Sequence, residues 1–143
     1  MTMLHLKIIT PKKVVLEHEV RSVTAPGADG EFTVLPRHTK LFSLLKEGIV
    51  RIEDENKGES FFSIGGGYLQ TNGKEINLLV SRAYGQDEID EAEVRKAREK
   101  AERLLTETSD ETQRQQALQT LRRSMIDLKV FGKIKRKKSI NTN

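Results

Sequence analysis

Residues 23–38 read Val-Thr-Ala-Pro-Gly-Ala-Asp-Gly-Glu-Phe-Thr-Val-Leu-Pro-Arg-His, and this stretch decides the fold. Pro26-Gly27 and Asp29-Gly30 have the composition of turns, because proline presets φ and glycine accepts positive φ. The alternation of residues 32–35 is typical of a β-strand, and Pro36 is expected to end it. The stretch therefore predicts a β domain of short strands joined by tight turns.

The rest of the first 86 residues carries further signs of short strands. Leu4, Leu6 and Ile8 form the apolar face of a first strand. Asn72-Gly73 lies between two apolar segments and predicts a hairpin with a type I′ turn, which needs positive φ at both central residues. Many short strands at this spacing predict an all-β sandwich of about ten strands. The other predicted strands cover residues 14–16, 20–25, 49–53, 61–64, 68–71 and 75–80.

The hydrophobic period changes from a strand pattern to a helix pattern at Gly85. Asp87 is predicted to cap a first helix, since its side chain can accept from the helix amides and suits the positive end of the dipole. Thr108 and Glu111 have the spacing of a capping box, which predicts the start of a second helix. Gly132 is expected to end that helix. Apolar stripes run through both helices, at Val94, Ala97, Ala101 and Leu104 and at Leu118, Leu121, Met125 and Leu128.

Two amphipathic helices joined by a short loop predict an antiparallel hairpin. The fold class is therefore α+β in two parts, with a β-sandwich over residues 1–86 and a helical hairpin with a basic tail over residues 87–143. The hairpin has about six large apolar side chains in its seam, too few to offset the entropy of ordering its backbone. We therefore expect the hairpin to dock on the sandwich or on another protein, and a weakly held element of this kind can change partners.

Composition excludes several classes of function. The chain has no cysteine, which excludes disulfides and thiolate chemistry. Its three histidines lack the spacing of metal ligands, and Gly65-Gly66-Gly67 is not followed by the Lys-Ser/Thr of a phosphate loop. No apolar run is long enough to span a membrane, and the N-terminus lacks the pattern of a signal peptide. We expect no catalytic residue, no metal and no cofactor.

Charge is distributed unevenly along the chain. Residues 87–111 carry five basic and ten acidic side chains, whereas residues 112–143 carry nine basic and one acidic. Such asymmetry indicates partners and not a fold. The basic end fits either a solvated tail that complements the acidic first helix or a contact with an acidic surface. The alternative is a small nucleic-acid-binding protein that uses the run from Lys133 to Lys138, although the chain has no tryptophan and two tyrosines for base stacking.

Two parts of the chain resemble the epsilon subunit of F-type ATP synthases. One is the opening segment through Ile52, and the other is Ile-Gly-Gly-Gly-Tyr-Leu-Gln at residues 64–70 with the apolar segment 76–80 behind it. The resemblance extends to about Gly132. It implies a non-catalytic rotor subunit of the central stalk, whose sandwich lies against the gamma subunit and the ring of c subunits and couples ion translocation, such as proton transport, to ATP synthesis.

The resemblance also implies a regulatory role for the helices. They fold compactly on the sandwich or extend along gamma into the head of alpha and beta subunits, where they inhibit ATP hydrolysis. The implied location is peripheral, through the complex, on the cytoplasmic face of the bacterial plasma membrane or the equivalent face of an energy-transducing organelle membrane. No direct membrane contact is implied.

Three sets of contact residues are implied by matching positions. Glu31, Arg37 and His38 are assigned to the c ring, although Arg37 and Lys40 replace the glycine and second proline of the family's Pro-Gly-His-x-Pro. The basic residues Arg122, Arg123, Lys129 and Lys133 are assigned to an inhibitory contact with the catalytic beta subunits. The third and weakest match is regulatory ATP binding through Ile89, Asp90 and Arg95.

The weakness of that third match has a physical reason. Some bacterial members bind ATP through Ile/Leu-Asp-x-x-Arg-Ala, and Glu93 stands here where the arginine is expected. Arg95 is two residues further on, which turns it by about 200° around a helix, and the carboxylate of Glu93 repels phosphate.

Overall fold

The computed structural model describes residues 2–38, 40–56 and 58–141 of the chain, and side chains up to residue 134. Two compact units divide it, Met1–Gln86 and Asp87–Asn143. The first consists of ten strands, which confirms the predicted sandwich. They are β1 (Leu4–Ile9), β2 (Val14–Val20), β3 (Ser22–Gly27), β4 (Gly30–Val34), β5 (Leu41–Leu45), β6 (Gly48–Glu53), β7 (Glu59–Ile64), β8 (Gly67–Thr71), β9 (Glu75–Val80) and β10 (Ala83–Gly85).

The strands form one continuous hydrogen-bonded sheet, which we describe as two layers joined where β3 meets β5. Hydrogen-bonded neighbours follow the order β10-β7-β6-β3-β5-β8-β9-β1-β2, and β4 also pairs with β3. Because β3 meets β5 only at Gly27 opposite Leu45, we describe one layer as β4-β3-β6-β7-β10 and the other as β5-β8-β9-β1-β2. Of these pairs, β1 with β9 is parallel and the others are antiparallel.

The core lies between the layers and follows the alternation of the strands. In β1, Leu4, Leu6 and Ile8 are fully buried, as predicted, while the intervening residues are half-buried. Val34 in β4 is fully buried and Phe32 packs against the same core. The remaining core residues include Val20, Val23, Val50, Ile52, Ile64, Leu69, Ile76 and Leu78.

Two of the three predicted turns in this unit need correction. Pro26 and Gly27 do not form a turn but continue β3, paired with Glu31 and Gly30 of β4. The turn is Ala28-Asp29, closed by Gly30 at φ 136°. Proline is tolerated there because its nitrogen needs no hydrogen-bond partner, and its carbonyl accepts from the Lys46 amide at 3.0 Å.

The turn after β8 is not of type I′. Gly73 has φ 91°, but Asn72 and Lys74 do not have positive φ. The Asn72 amide donates to the Glu75 carbonyl at 3.2 Å, so the central residues are Gly73 and Lys74 instead of Asn72 and Gly73. The side chain of Asn72 explains the difference, since its Oδ1 accepts from the amides of Lys74 and Glu75 at 2.9 and 2.8 Å.

The second unit contains helices α1 (Glu91–Glu107) and α2 (Glu111–Asn141), which pack along each other, after a 3-10 turn at Gln86–Glu88. The two-helix prediction is therefore confirmed, but the caps were assigned to the wrong residues. Asp90, not Asp87, caps α1, with its Oδ1 accepting from the Glu93 amide at 3.1 Å. The 3-10 turn occupies the residues that were expected to begin the helix.

The capping box at Thr108 and Glu111 is also wrong. Asp110 caps α2, because its Oδ1 accepts from the Thr112 amide at 2.9 Å and its carbonyl accepts from the Arg114 amide at 3.0 Å. The hydroxyl of Thr108 instead accepts from the Asp110 amide at 3.1 Å and donates to Gln113 at 2.6 Å. An aspartate next to the helix was the better cap.

The end and the seam of α2 differ from the prediction as well. The helix continues through Gly132, since one glycine in a helix interior costs only about 1 kcal/mol relative to alanine. Met125 does not lie in the seam and is 48% exposed. Leu118, Leu121 and Leu128 are half-buried. Among the described side chains of α2, the buried ones are Ala117, Ser124, Asp127 and Val130.

In the part of the chain that the structure describes, neither helix is long and apolar enough to cross a membrane.

Candidate interaction surfaces

An apolar row crosses the outer face of the layer β5-β8-β9-β1-β2. Register places Leu44 beside Tyr68, Tyr68 beside Leu79, Leu79 beside Ile9, and Ile9 beside Val14. Paired residues project to the same face of a sheet, so these five side chains lie side by side. We call them the apolar row.

The apolar row is open to solvent at both ends. Leu44 is 61% and Val14 is 51% exposed, and Phe42, two residues before Leu44 on the same face, is 61% exposed. The rings of Phe42 and Tyr68 lie 5.1 Å apart between centroids. Large apolar side chains exposed together, and not singly, mark an interaction surface.

The next positions along the same face are polar and charged. Lys7 stands beside Asn77 on β9 and Glu17 on β2, and His5 stands beside Glu75 and Glu19. The His5 ring bridges two carboxylates of β2, with Nδ1 2.6 Å from Glu19 and Nε2 2.7 Å from Glu17. Hydrogen bonds to these carboxylates raise the pKa of His5, and the bond to His5 lowers the pKa of Glu17.

The residues assigned to the c ring lie near the two ends of β4. Glu31 is exposed beside the β3–β4 turn, opposite Pro26. His38 follows the other end of the strand and is half-buried. At about 3.3 Å per residue the strand alone separates them by roughly 10 Å. The structure thus puts one of the two side chains at each end of β4.

Arg37 lies at the centre of the corner that ends β4. Its φ is 67°, and it is the one non-glycine residue with positive φ among the described residues. The His38 amide donates to the Leu35 carbonyl at 3.2 Å, which closes a turn with Pro36 and Arg37 at its centre. Proline followed by positive φ is the pattern of type II, where glycine is preferred at the second central position.

Three of the four basic residues assigned to the inhibitory contact share one face of α2. At 100° per residue, Arg122, Lys129 and Lys133 lie within about 40° around the helix axis, and Arg123 lies about 100° from Arg122. All four are exposed. Lys129 and Lys133 also line a groove of the hairpin together with Arg98, Met125, Leu128 and Gly132. The side chains of the basic run from residue 135 to 138 lie outside the described residues.

The residues matched to the ATP motif have other contacts. The carboxylate of Asp90 caps α1, as described above. Arg95 pairs with Glu91 one turn before it on the same helix, at 2.9 Å. Ile89 is half-buried. Both charged groups are therefore engaged within the helix itself. The described residues contain no group of three or more His, Asp or Glu arranged to hold a metal ion.

Comparison with known proteins decides the family. Residues 3–86 match the ATP synthase Delta/Epsilon chain beta-sandwich domain, and residues 87–132 match the long alpha-helix domain of the same chain. The ATP synthase epsilon chain of Moorella thermoacetica is 38% identical over 134 residues, which cover 94% of this chain and 100% of the relative. That of Campylobacter curvus is 39% identical over 112 residues, covering 78% of this chain and 87% of the relative. The chain belongs to the epsilon subunits of F-type ATP synthase.

A solved structure shares the fold of this epsilon-family chain. A chain of the Euglena gracilis mitochondrial ATP synthase, solved as OSCP/F1/c-ring, superposes with a TM-score of 0.67 at 22% identity, over 96% of this chain and 82% of that one. As an epsilon subunit the chain is a non-catalytic subunit of the central stalk. Family membership therefore does not favour the alternative of a nucleic-acid-binding protein.

The apolar row was missed in the sequence, and its signal was weak. Each strand contributes one or two of its residues, so no local segment shows the whole row. One indication was available in residues 41–45, Leu-Phe-Ser-Leu-Leu, where apolar side chains occupy both faces of a strand. A half-buried strand needs them on one face only.

Proposed function

We propose that this epsilon-family chain acts in the rotor, coupling ion translocation through the c ring to ATP synthesis, and that the apolar row docks on the gamma subunit. The observation that carries the docking surface is the exposure of Leu44 in the row and of Phe42 beside it on the same sheet face, 61% each. Covering such side chains removes apolar area from water, which stabilises association by about 25 cal/mol per Å² before the costs of binding. A rotor contact needs a rigid face, and the row lies within hydrogen-bonded strands.

The c-ring contact is assigned to the two ends of β4. Glu31 supplies an exposed carboxylate, and Arg37 and His38 supply the corner beyond the strand. Because Glu31 and the corner of Arg37 and His38 lie at opposite ends of β4, the two can contact different loops of a ring. Attachment through gamma and the c ring makes the chain a peripheral subunit, on the cytoplasmic face of the bacterial membrane or its organellar equivalent.

The helical unit is assigned to regulation. In the extended state it reaches the alpha and beta subunits and inhibits ATP hydrolysis, with the basic face of α2 against an acidic surface of the catalytic beta subunits. The clustering of Arg122, Lys129 and Lys133 on one side of α2 supports this assignment. Exposed ion pairs are screened over about 8–10 Å at ordinary salt, so inhibition is expected to weaken as salt increases.

Docking on gamma is tested by removing the exposed apolar side chains. In a double variant, Phe42→Ser with Leu44→Ser, the affinity for the isolated gamma subunit is expected to fall tenfold or more in calorimetry. The matched control is Leu35→Ser, because Leu35 is a comparably exposed apolar residue, at 55%, outside the row. Equal affinities of the native chain and the double variant would refute this docking surface.

A further inference from the structure

His5 lies on the same face as the apolar row, four residues before Ile9 on β1. Its ring contacts both acidic side chains that β2 projects there, Glu17 and Glu19. On its own strand Lys7 faces Glu17 at 3.9 Å. On the other side β9 places Glu75 beside His5, and the carbonyl of Lys74 accepts from the His5 amide at 2.9 Å. These are the charged groups that face His5 from β1, β2 and β9.

The protonation of one ring therefore changes the charge of this edge. A protonated His5 donates to both carboxylates, and the three groups together carry one negative charge. A neutral ring has one N–H, so it can donate to only one carboxylate, and the group carries two negative charges. Uncompensated carboxylates beside an apolar surface stay hydrated, and a partner that covers the surface must remove part of that water.

We propose that His5 makes docking on the apolar row responsive to pH. A partner with an apolar, weakly charged surface binds more tightly when the ring is protonated and neutralises part of the acidic edge, and less tightly when it is neutral. This inference rests on the proposed docking of gamma on the row. Nothing in the shape of the row itself changes, so the effect is electrostatic and becomes smaller at high salt.

The test measures the dissociation constant of the full chain for the gamma subunit of the same synthase at pH about 6 and about 8, on either side of an ordinary histidine titration. For the native chain the constant is expected to rise about three- to tenfold at the higher pH, the effect of one charge near the edge of an interface. His5→Lys keeps a charge at both pH values and is expected to bind tightly at both. His5→Gln is expected to bind weakly at both.

His18→Gln is the matched control, since His18 is also exposed on β2 but pairs with Leu6 and projects to the other face. It is expected to keep the pH dependence of the native chain. An equal pH dependence in His5→Gln and the native chain would overturn the inference, as would tighter native binding at the higher pH. Either result leaves gamma docking in place. Failure to bind gamma at any pH would overturn both.

Discussion

The backbone amide of Arg37 donates to the carbonyl of Gly73 at 2.9 Å, and both residues have positive φ. This bond joins the corner after β4 to the turn between β8 and β9, which belong to different layers of the sandwich. A Cβ on Gly73 would lie 2.6 Å from the carbonyl oxygen of His38, so the two turns are in close backbone contact. The shape of the Arg37–His38 corner is thus fixed from two sides.

Replacing Arg37 by glycine is expected to stabilise the sandwich. At φ 67° a side chain costs about 1 kcal/mol, whereas glycine accepts this conformation. The bond to Gly73 is made by the backbone and survives the change. We expect Arg37→Gly to raise the melting temperature by about 4 °C in a thermal unfolding scan. Arg37→Ala is the control, since it removes the charge but keeps the Cβ, and a similar rise in Arg37→Ala would contradict the argument from φ.

These corners show what sequence reasoning could and could not obtain. The composition of the chain placed the turns near Gly30, Pro36 and Gly73, because glycine and proline restrict where a strand can end. The turn conformations depended on local side-chain hydrogen bonds, such as those of Asn72, and on contacts distant in the chain, such as that of Arg37 with Gly73. The helices were likewise found from their hydrophobic periodicity. Their caps depend on individual side-chain hydrogen bonds, and the predicted caps were therefore two or three residues away from the observed ones.

The interaction surfaces were less accessible than the fold. The apolar row and the His5 cluster depend on which residues of β1, β2, β5, β8 and β9 stand side by side. That register depends on pairing across the sheet and cannot be read from any one segment. The residues assigned to the c ring and to the catalytic subunits came from family resemblance, and their roles stay predictions.

The stability of the sandwich is expected to depend on pH through His5. Because the folded-state pKa of His5 is raised above its ordinary 6.5, its contribution is complete below that pH and is lost as the pH rises through the folded-state value. Glu17 behaves oppositely, since its pKa is lowered from 4.5 and its contribution is lost as the pH falls. In thermal unfolding, the melting temperature of the native chain should therefore exceed that of His5→Gln. The difference should be largest between pH 4.5 and 6.5 and should become progressively smaller above 6.5. A difference that grows with alkaline pH would contradict this sign.

Gly132 makes the second half of α2 easier to unfold than alanine would at the same position. Apart from neighbouring residues and backbone of the same helix, no described atom lies within 4 Å of the position that an alanine Cβ would take at this residue, so alanine fits without a clash. Alanine is favoured over glycine in a helix interior by about 1 kcal/mol. We expect Gly132→Ala to slow amide hydrogen exchange several-fold in the turns around residue 132 and to leave β1 unchanged. Gly66→Ala, in the loop between β7 and β8, is the control for a general effect of adding a methyl group, and equal protection in both variants would refute a local cause.

The basic face of α2 makes a prediction about regulation. If Arg122, Lys129 and Lys133 together contact an acidic surface of the catalytic subunits, changing all three to glutamate should relieve inhibition of ATP hydrolysis in the assembled synthase. Arg123→Glu is the control, since Arg123 is equally basic and exposed but lies about 100° away around the helix. A synthase assembled with a chain ending at Gln86 gives the fully uninhibited rate, because it lacks both helices. We expect the triple variant to approach that rate, and Arg123→Glu to remain close to the native rate. If truncation raised hydrolysis and the triple variant did not, inhibition would belong to another surface of the helices; if truncation had no effect, the inhibitory role itself would be wrong.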